Sequence, residues 1–180
     1  MKISQLILHI AGWNIIDTLP YRDKCVICVA PHTSNWDFII GQLAYSSIGR
    51  KSAFLMKKGW FFFPLGLLLR AMGGIPVDRR RRSSLSRQLI RMFTNRTSLN
   101  LAITPEGTRK AEKKWHTGFL HIAYEANVPI QCGVIDYRHK RILLEREFAP
   151  TGDFETDLRT IKDYYKQYKD AGKHPDRFLT

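Results

Sequence analysis

The chain has 180 residues, 44% of them apolar, and its 29 basic against 16 acidic residues leave a net charge of +13. That length and composition suit one packed domain and argue against a second folded unit. The charge draws the protein toward phosphate-rich partners, nucleic acid and anionic membrane surfaces alike.

Residues 3–16 set Ile3, Leu6, Ile7, Ile10 and Trp13 at helical spacing, with Lys2, Gln5 and His9 elsewhere, and predict an N-terminal amphipathic helix. A helix of that length reaches only ~20 Å, short of the ~30 Å of a bilayer core. No signal-peptide cleavage pattern follows it. The pattern suits a helix packed on the domain and equally one lying in a membrane interface.

With a linker, this helix takes residues 1–20; residues 25–150 read as an α/β core and 151–180 as a C-terminal helix and tail. Residues 25–30 (CVICVA) read as a buried strand, 31–35 as a loop, and 36–47 as a helix with Ser34 or Asn35 available as its cap. Cys25 and Cys28 stand three apart on that strand and therefore face opposite ways. With no second cysteine or histidine pair to match, reduced, buried thiols in a cytoplasmic setting are expected for them and for Cys132.

A short strand at 52–56 leads into the run WFFFPLGLLLRAM, where Pro64 and Gly66 predict a bent, apolar surface element rather than one helix. Gly73 and Gly74 precede a short strand at 75–78. A helix beginning at Ser83 or Ser84 turns Leu85, Leu89, Met92 and Phe93 inward and Arg87 and Arg91 outward. Strands follow at 99–104, 129–135 and, at an edge, 141–148, with helices at 117–126 and 154–168. Such alternation predicts an α/β fold, a mostly parallel or mixed central sheet flanked by helices, whose site lies at the carboxyl ends of the strands.

Three stretches carry chemistry. In PHTSNWD, His32 lies on a loop leaving a strand and Asp37 in the first turn of the next helix. An imidazole serves as general base toward a hydroxyl, and a carboxylate behind it fixes the tautomer and favours the imidazolium that forms. In TPEGTRK, a strand end supplies Glu106, Gly107, Thr108 and Arg109, a set suited to a phosphate monoester, since the guanidinium fork meets phosphate oxygens with paired charge-assisted bonds. In GGIPVDRR, Arg79 again leaves a strand end.

In this order the stretches resemble the lysophosphatidic acid and glycerol-phosphate acyltransferase family, known by its HxxxxD and EGTR blocks. His32 and Asp37 match the first block, residues 74–79 the second, 106–109 the third and 128–130 the fourth, so the likeness spans roughly 25–135. Pro31 stands where many members carry asparagine.

The resemblance implies a glycerol-phosphate-acyltransferase-like fold, catalysis by His32 and Asp37, and acceptor-phosphate binding by Arg79 and Arg109, with Glu106 holding the loop or the acceptor. It places Gly107 and Thr108 among the donor contacts, and Lys57 with the Gly107 amide on the oxyanion. The donor it implies is acyl-CoA or acyl carrier protein as co-substrate, with no cofactor and no metal. The acceptor is lysophosphatidic acid or a related lysolipid, with glycerol phosphate or an amino-acid lysolipid as alternatives.

Seven arginines between positions 79 and 96, beside the apolar run, suggest an anionic phospholipid membrane as partner and peripheral or monotopic attachment at its cytoplasmic face. A basic nucleic-acid-binding module is the competing reading of the charge, and leaves His32, Asp37 and the EGTR loop unexplained. A hydrolase using Ser34 is the third, against which stands the lack of a GxSxG elbow.

Overall fold

Apolar runs that alternate with amphipathic ones fold here into a helix–sheet–helix sandwich, seen in a computed structural model that describes residues 2–78 and 82–179. The strands are β1 (Asn14–Asp17), β2 (Lys24–Val29), β3 (Ala53–Lys57), β4 (Gly74–Val77), β5 (Leu99–Ile103), β6 (Ile130–Asp136) and β7 (Arg141–Phe148). They pair in the order β1-β7-β6-β2-β5-β3-β4. The five from β6 to β4 run parallel, whereas β7 is antiparallel to β6 and carries β1 parallel to itself. The sheet is thus mixed, with a parallel block at its centre.

The helices are α1 (Ile3–Ile10), α2 (Trp36–Ser47), α3 (Leu65–Ala71), α4 (Arg82–Asn95), α5 (Gly118–Glu125) and α6 (Phe154–Lys166). None of them is long and apolar enough to cross a membrane. Alternation along β2 assigns the two helical layers: Val26 and Cys28 pack with α4, α5 and α6, while Cys25 and Ile27 pack with α2. The two cysteines do face opposite ways, and all three thiols are free and buried.

α1 joins α2 on the second layer through Leu8, Ile40 and Ala44. α3 lies there too. Phe54 meets Phe38 of α2 edge-on. Its register partner Gly74 points the same way, toward the Leu69 carbonyl of α3.

Three expectations need correction. The N-terminal helix stops at Ile10 rather than 16, because Gly12 turns the chain at φ +76° and the Asn14 N–H then bonds the Lys140 carbonyl at 2.9 Å. Residues 14–17, read as helix and linker, are the edge strand β1, so the sheet begins before residue 25, and β7 is an inner strand. A four-residue strand leaves too little alternation to compete with the helical spacing that precedes it.

The bent element between Trp60 and Met72 forms as expected: a 3₁₀ turn at Lys58–Trp60 and then the short α3. α4 buries Leu89 and Phe93 and leaves Arg87 and Arg91 exposed.

The parallel block gathers the loops after β2, β3, β4 and β5 along one sheet edge, together with the end of β6. Tyr165 of α6, fully buried, fixes β2 just before that edge by donating its hydroxyl to the Cys28 carbonyl at 2.5 Å.

At Gly74 an added Cβ would stand 2.6 Å from the Leu69 carbonyl oxygen and 3.2 Å from the Phe54 ring. Gly74→Ala is therefore expected to destabilise the fold by about 1–3 kcal/mol, the usual cost of overpacking. A lowered urea midpoint at unchanged m-value would show it.

Candidate active site

The loop after β2 brings His32 and Asp37 together: His32 Nδ1 lies 3.1 Å from Asp37 Oδ2. Asp37 sits in the first turn of α2, where the chain has already reversed, so five residues suffice to close the pair. The same Oδ2 accepts the backbone N–H groups of Thr33 and Ser34, each at 2.9 Å. Oδ1 accepts the hydroxyl of Tyr137 at 2.7 Å.

Four donors thus converge on one buried carboxylate. Burial by itself would raise the Asp37 pKa; hydrogen bonds from His32, Tyr137 and the Ser34 N–H outweigh it and hold the carboxyl below its ordinary range. The resulting anion accepts the Nδ1 proton of His32 and leaves Nε2 with its lone pair, the form a general base requires. The imidazole is only 15% exposed, with Asp37 wholly beneath it.

From β5 the EGTR loop reaches the same place. Both Glu106 oxygens face the His32 backbone N–H, at 3.0 and 3.2 Å. Glu106 is 5% exposed, and the contact it makes is with the histidine loop, one of the two roles the resemblance allows it. It holds the histidine loop. Burial pushes its pKa up to about 8, opposed by the His32 N–H bond and reinforced by the Asp37 charge nearby.

Gly107 takes φ +65°, and a Cβ there would stand 2.8 Å from the His116 ring. Its N–H donates to the Thr104 carbonyl at 3.1 Å, closing the turn, so that amide is already engaged and does not offer the free donor an oxyanion needs. The Thr108 hydroxyl oxygen accepts the Lys110 N–H at 3.2 Å. Arg109 is exposed and shares an open polar pocket of about 320 Å³ with residues 33–36 of the histidine loop. Lys57 ends β3 on the same sheet edge, exposed. Arg79 lies outside the described residues.

Ser34 places its hydroxyl oxygen against the Trp36 N–H at 3.2 Å, a bond at the start of α2 in which Ser34 rather than Asn35 supplies the side chain. Two sets of residues escaped the sequence reading. Tyr137 directly follows β6, a position at the active sheet edge that was the available signal. The tail around Lys173, His174 and Arg177 borders the same pocket as Arg109, and no local pattern announces it.

Residues 15–136 match the Acyltransferase family. The chain is 32% identical over 148 residues to the 1-acyl-sn-glycerol-3-phosphate acyltransferase of Haemophilus influenzae, a match covering 75% of this chain and 59% of that protein. The chain therefore spans about three-fifths of that relative's length. Its fold matches the crystal structure of the 1-acyl-sn-glycerophosphate (LPA) acyltransferase PlsC from Thermotoga maritima with a TM-score of 0.61, over 92% of this chain and 76% of that one at 17% identity.

Glu106 yields a sign test. Its carboxyl binds a proton in the folded chain up to about pH 8 but, unfolded, only to the ordinary value of 4.5, so its protonated form stabilises the fold fully below 4.5 and that contribution fades as pH rises through 8. In Glu106→Gln this loss is absent. Melting temperatures taken from pH 5 to pH 9 are expected to fall more steeply for the wild type than for the variant; parallel curves would refute a proton on Glu106.

Proposed function

The chain belongs to the Acyltransferase family, and from that premise we propose that it moves a fatty-acyl group from a thioester to the free hydroxyl of 1-acyl-glycerol-3-phosphate or a related lysolipid, in phospholipid synthesis. The observation that carries this reading is the His32–Asp37 contact at 3.1 Å, with the carboxylate held ionised behind the ring.

His32 Nε2 removes the hydroxyl proton as the acceptor oxygen attacks the thioester carbonyl. Asp37 stabilises the imidazolium that results. The carbonyl becomes an oxyanion, toward which Lys57 is the proposed cation. When the intermediate collapses the C–S bond breaks, and the departing thiolate takes the proton back from His32. Ester and thiol are the products, and His32 ends as it began.

The donor is acyl-CoA or acyl carrier protein, and the Thr108 loop is its proposed contact. Arg109 supports acceptor binding, since its fork opens into the pocket beside the histidine loop and suits the acceptor's phosphate. Arg79 joins it on the family resemblance.

A lipid acceptor needs a lipid surface, and we assign this to the α1–α3 layer, at the cytoplasmic face of the membrane. Ile3, Ile10, Trp60, Phe63, Leu67 and Leu68 are all more than half exposed, and all belong to α1, α3 or the turn before α3. This face supports peripheral attachment by apolar insertion. The exposed Arg87 and Arg91 of α4, with Arg96 just beyond it, line a separate groove of about 390 Å³ on the opposite layer.

Two tests follow. Incubated with labelled acyl-CoA or acyl carrier protein and a panel of lyso-acceptors, the wild type is expected to give a diacyl product by mass. His32→Ala should be slower by ~10²–10⁴ with an unchanged melting temperature; a fully active variant would end the proposal.

For the membrane, Phe63→Ser combined with Leu67→Ser should weaken binding to phosphatidylglycerol vesicles by more than about tenfold in high salt, where charge is screened and apolar burial remains. Unchanged sedimentation with vesicles would move the membrane surface elsewhere.

A further inference from the structure

The tail beyond α6 is built onto the histidine loop. Tyr137 N–H donates to the Ala171 carbonyl at 2.8 Å, and His174 N–H donates to the Thr33 hydroxyl oxygen at 3.2 Å. Arg177 reaches the Thr33 carbonyl with Nη1 at 3.5 Å. Gly172 lies so close that an added Cβ would meet Thr33 Oγ1 at 2.9 Å. At the far end Phe178 is buried against Trp115. These contacts set the tail in one place.

What the tail brings there is positive charge. Lys173, His174 and Arg177 line one side of the 320 Å³ pocket, Arg109 comes from the EGTR loop, and residues 33–36 at the amino end of α2 form the floor. Lys173 Nζ stands 5.4 Å from the centre of the Trp36 ring. Among the described residues none of Arg109, Lys173 and Arg177 forms an ion pair. Asp176, next to Arg177 in the chain, does not line the pocket.

Exposed cations gathered without acidic partners repel one another weakly through water, and an anion that bridges them relieves that repulsion. A hydrophobic ligand gains nothing from the charge of such a wall, and a neutral sugar gains hydrogen bonds but no ion pairing. A doubly charged phosphate does, through charge-assisted hydrogen bonds to two guanidinium groups and an ammonium.

We propose that Lys173 and Arg177, with His174 beside them, join Arg109 to form a binding site for a dianionic phosphate monoester next to His32. This deepens the acyl-transfer reading and rests on it for the owner of the phosphate, not for the site. Two owners share the chemistry: the headgroup of the lysolipid acceptor and the 3′-phosphate of coenzyme A.

The experiment uses the full chain and two variants, Lys173→Gln and Lys173→Gln/Arg177→Gln. Lys173 is exposed and its ammonium lies over the exposed Trp36 ring, so its single variant should fold even if the double one does not. Arg159→Ala, on the exposed side of α6, is the control. Glycerol 3-phosphate binding is measured by calorimetry, and the apparent KM of acceptor and donor by steady-state turnover.

The single variant should lose about threefold to tenfold in glycerol 3-phosphate affinity and the double variant more than tenfold, with the control unchanged, in line with lost charge-assisted bonds. A matching rise in acceptor KM alone assigns the site to the headgroup. A rise in acyl-CoA KM that vanishes with acyl carrier protein as donor assigns it to the 3′-phosphate.

Unchanged glycerol 3-phosphate affinity and unchanged KM values in folded variants would overturn the proposal. Should the wild type transfer no acyl group to any acceptor, the acyl-transfer reading fails, while calorimetry still decides whether the phosphate site exists.

Discussion

The Asp37 carboxylate is the point on which the site turns. It is buried, so its charge survives only because donors from three places reach it: the histidine ring, two amides of the loop between β2 and α2, and the Tyr137 hydroxyl beyond β6. Each of those donors is itself fixed by the sheet. An anion assembled in this way sets the His32 tautomer, stiffens the loop and leaves Nε2 as the basic nitrogen, all through one group. The chemistry and the local fold are the same set of hydrogen bonds.

Around this anion the parallel block of the sheet does the positioning. Because β5 and β6 flank β2 and run in its direction, their carboxyl ends deliver Glu106 to the His32 N–H and Tyr137 to the Asp37 carboxylate, although about a hundred residues separate Asp37 from Tyr137. Glu106 and Asp37 are both carboxyls, yet their surroundings drive them apart. Asp37 has enough donors to stay ionised, whereas burial and the neighbouring charge favour a proton on Glu106. One holds the ring and the other holds the backbone of the same histidine. Two full negative charges at that spot would oppose an incoming phosphate, so a neutral Glu106 also suits the pocket beside it.

Much of this was legible in the chain. The apolar runs at 25–30, 99–104 and 129–135 became β2, β5 and β6 to within a residue or two, since strands buried on both faces read as continuous apolar stretches. The pairing of His32 with Asp37 and the loop from Glu106 to Arg109 lay in single short segments, where spacing carries information. What escaped depends on contacts between distant segments. β1 is four residues that gain strand geometry only from β7. Tyr137 earns its role from Asp37, a hundred positions away. The buried state of Glu106 and the engaged amide of Gly107 follow from the turn closing over the histidine loop. The tail carries no spacing of its own to mark it, and its place is set by Thr33, Tyr137 and Trp115, all far from it in the chain.

The proposed substrate is an amphiphile, and the molecule is divided in a corresponding way. One helical layer exposes isoleucine, phenylalanine and leucine side chains, and the carboxyl edge of the sheet presents Arg109, Lys173 and Arg177. α2 joins the two. Its first turn carries Asp37 and floors the cationic pocket, and it also leaves Ile39 and Trp36 exposed toward solvent. A lysolipid held with its phosphate against Arg109 would direct its chain along α2 toward α1 and α3 and its free hydroxyl toward His32. In that arrangement the charge wall sets the depth at which the headgroup sits, and the carbon chain stays on the apolar side throughout. Binding energy from both ends is then spent on orientation of one hydroxyl, which is where a general base without a covalent intermediate needs it.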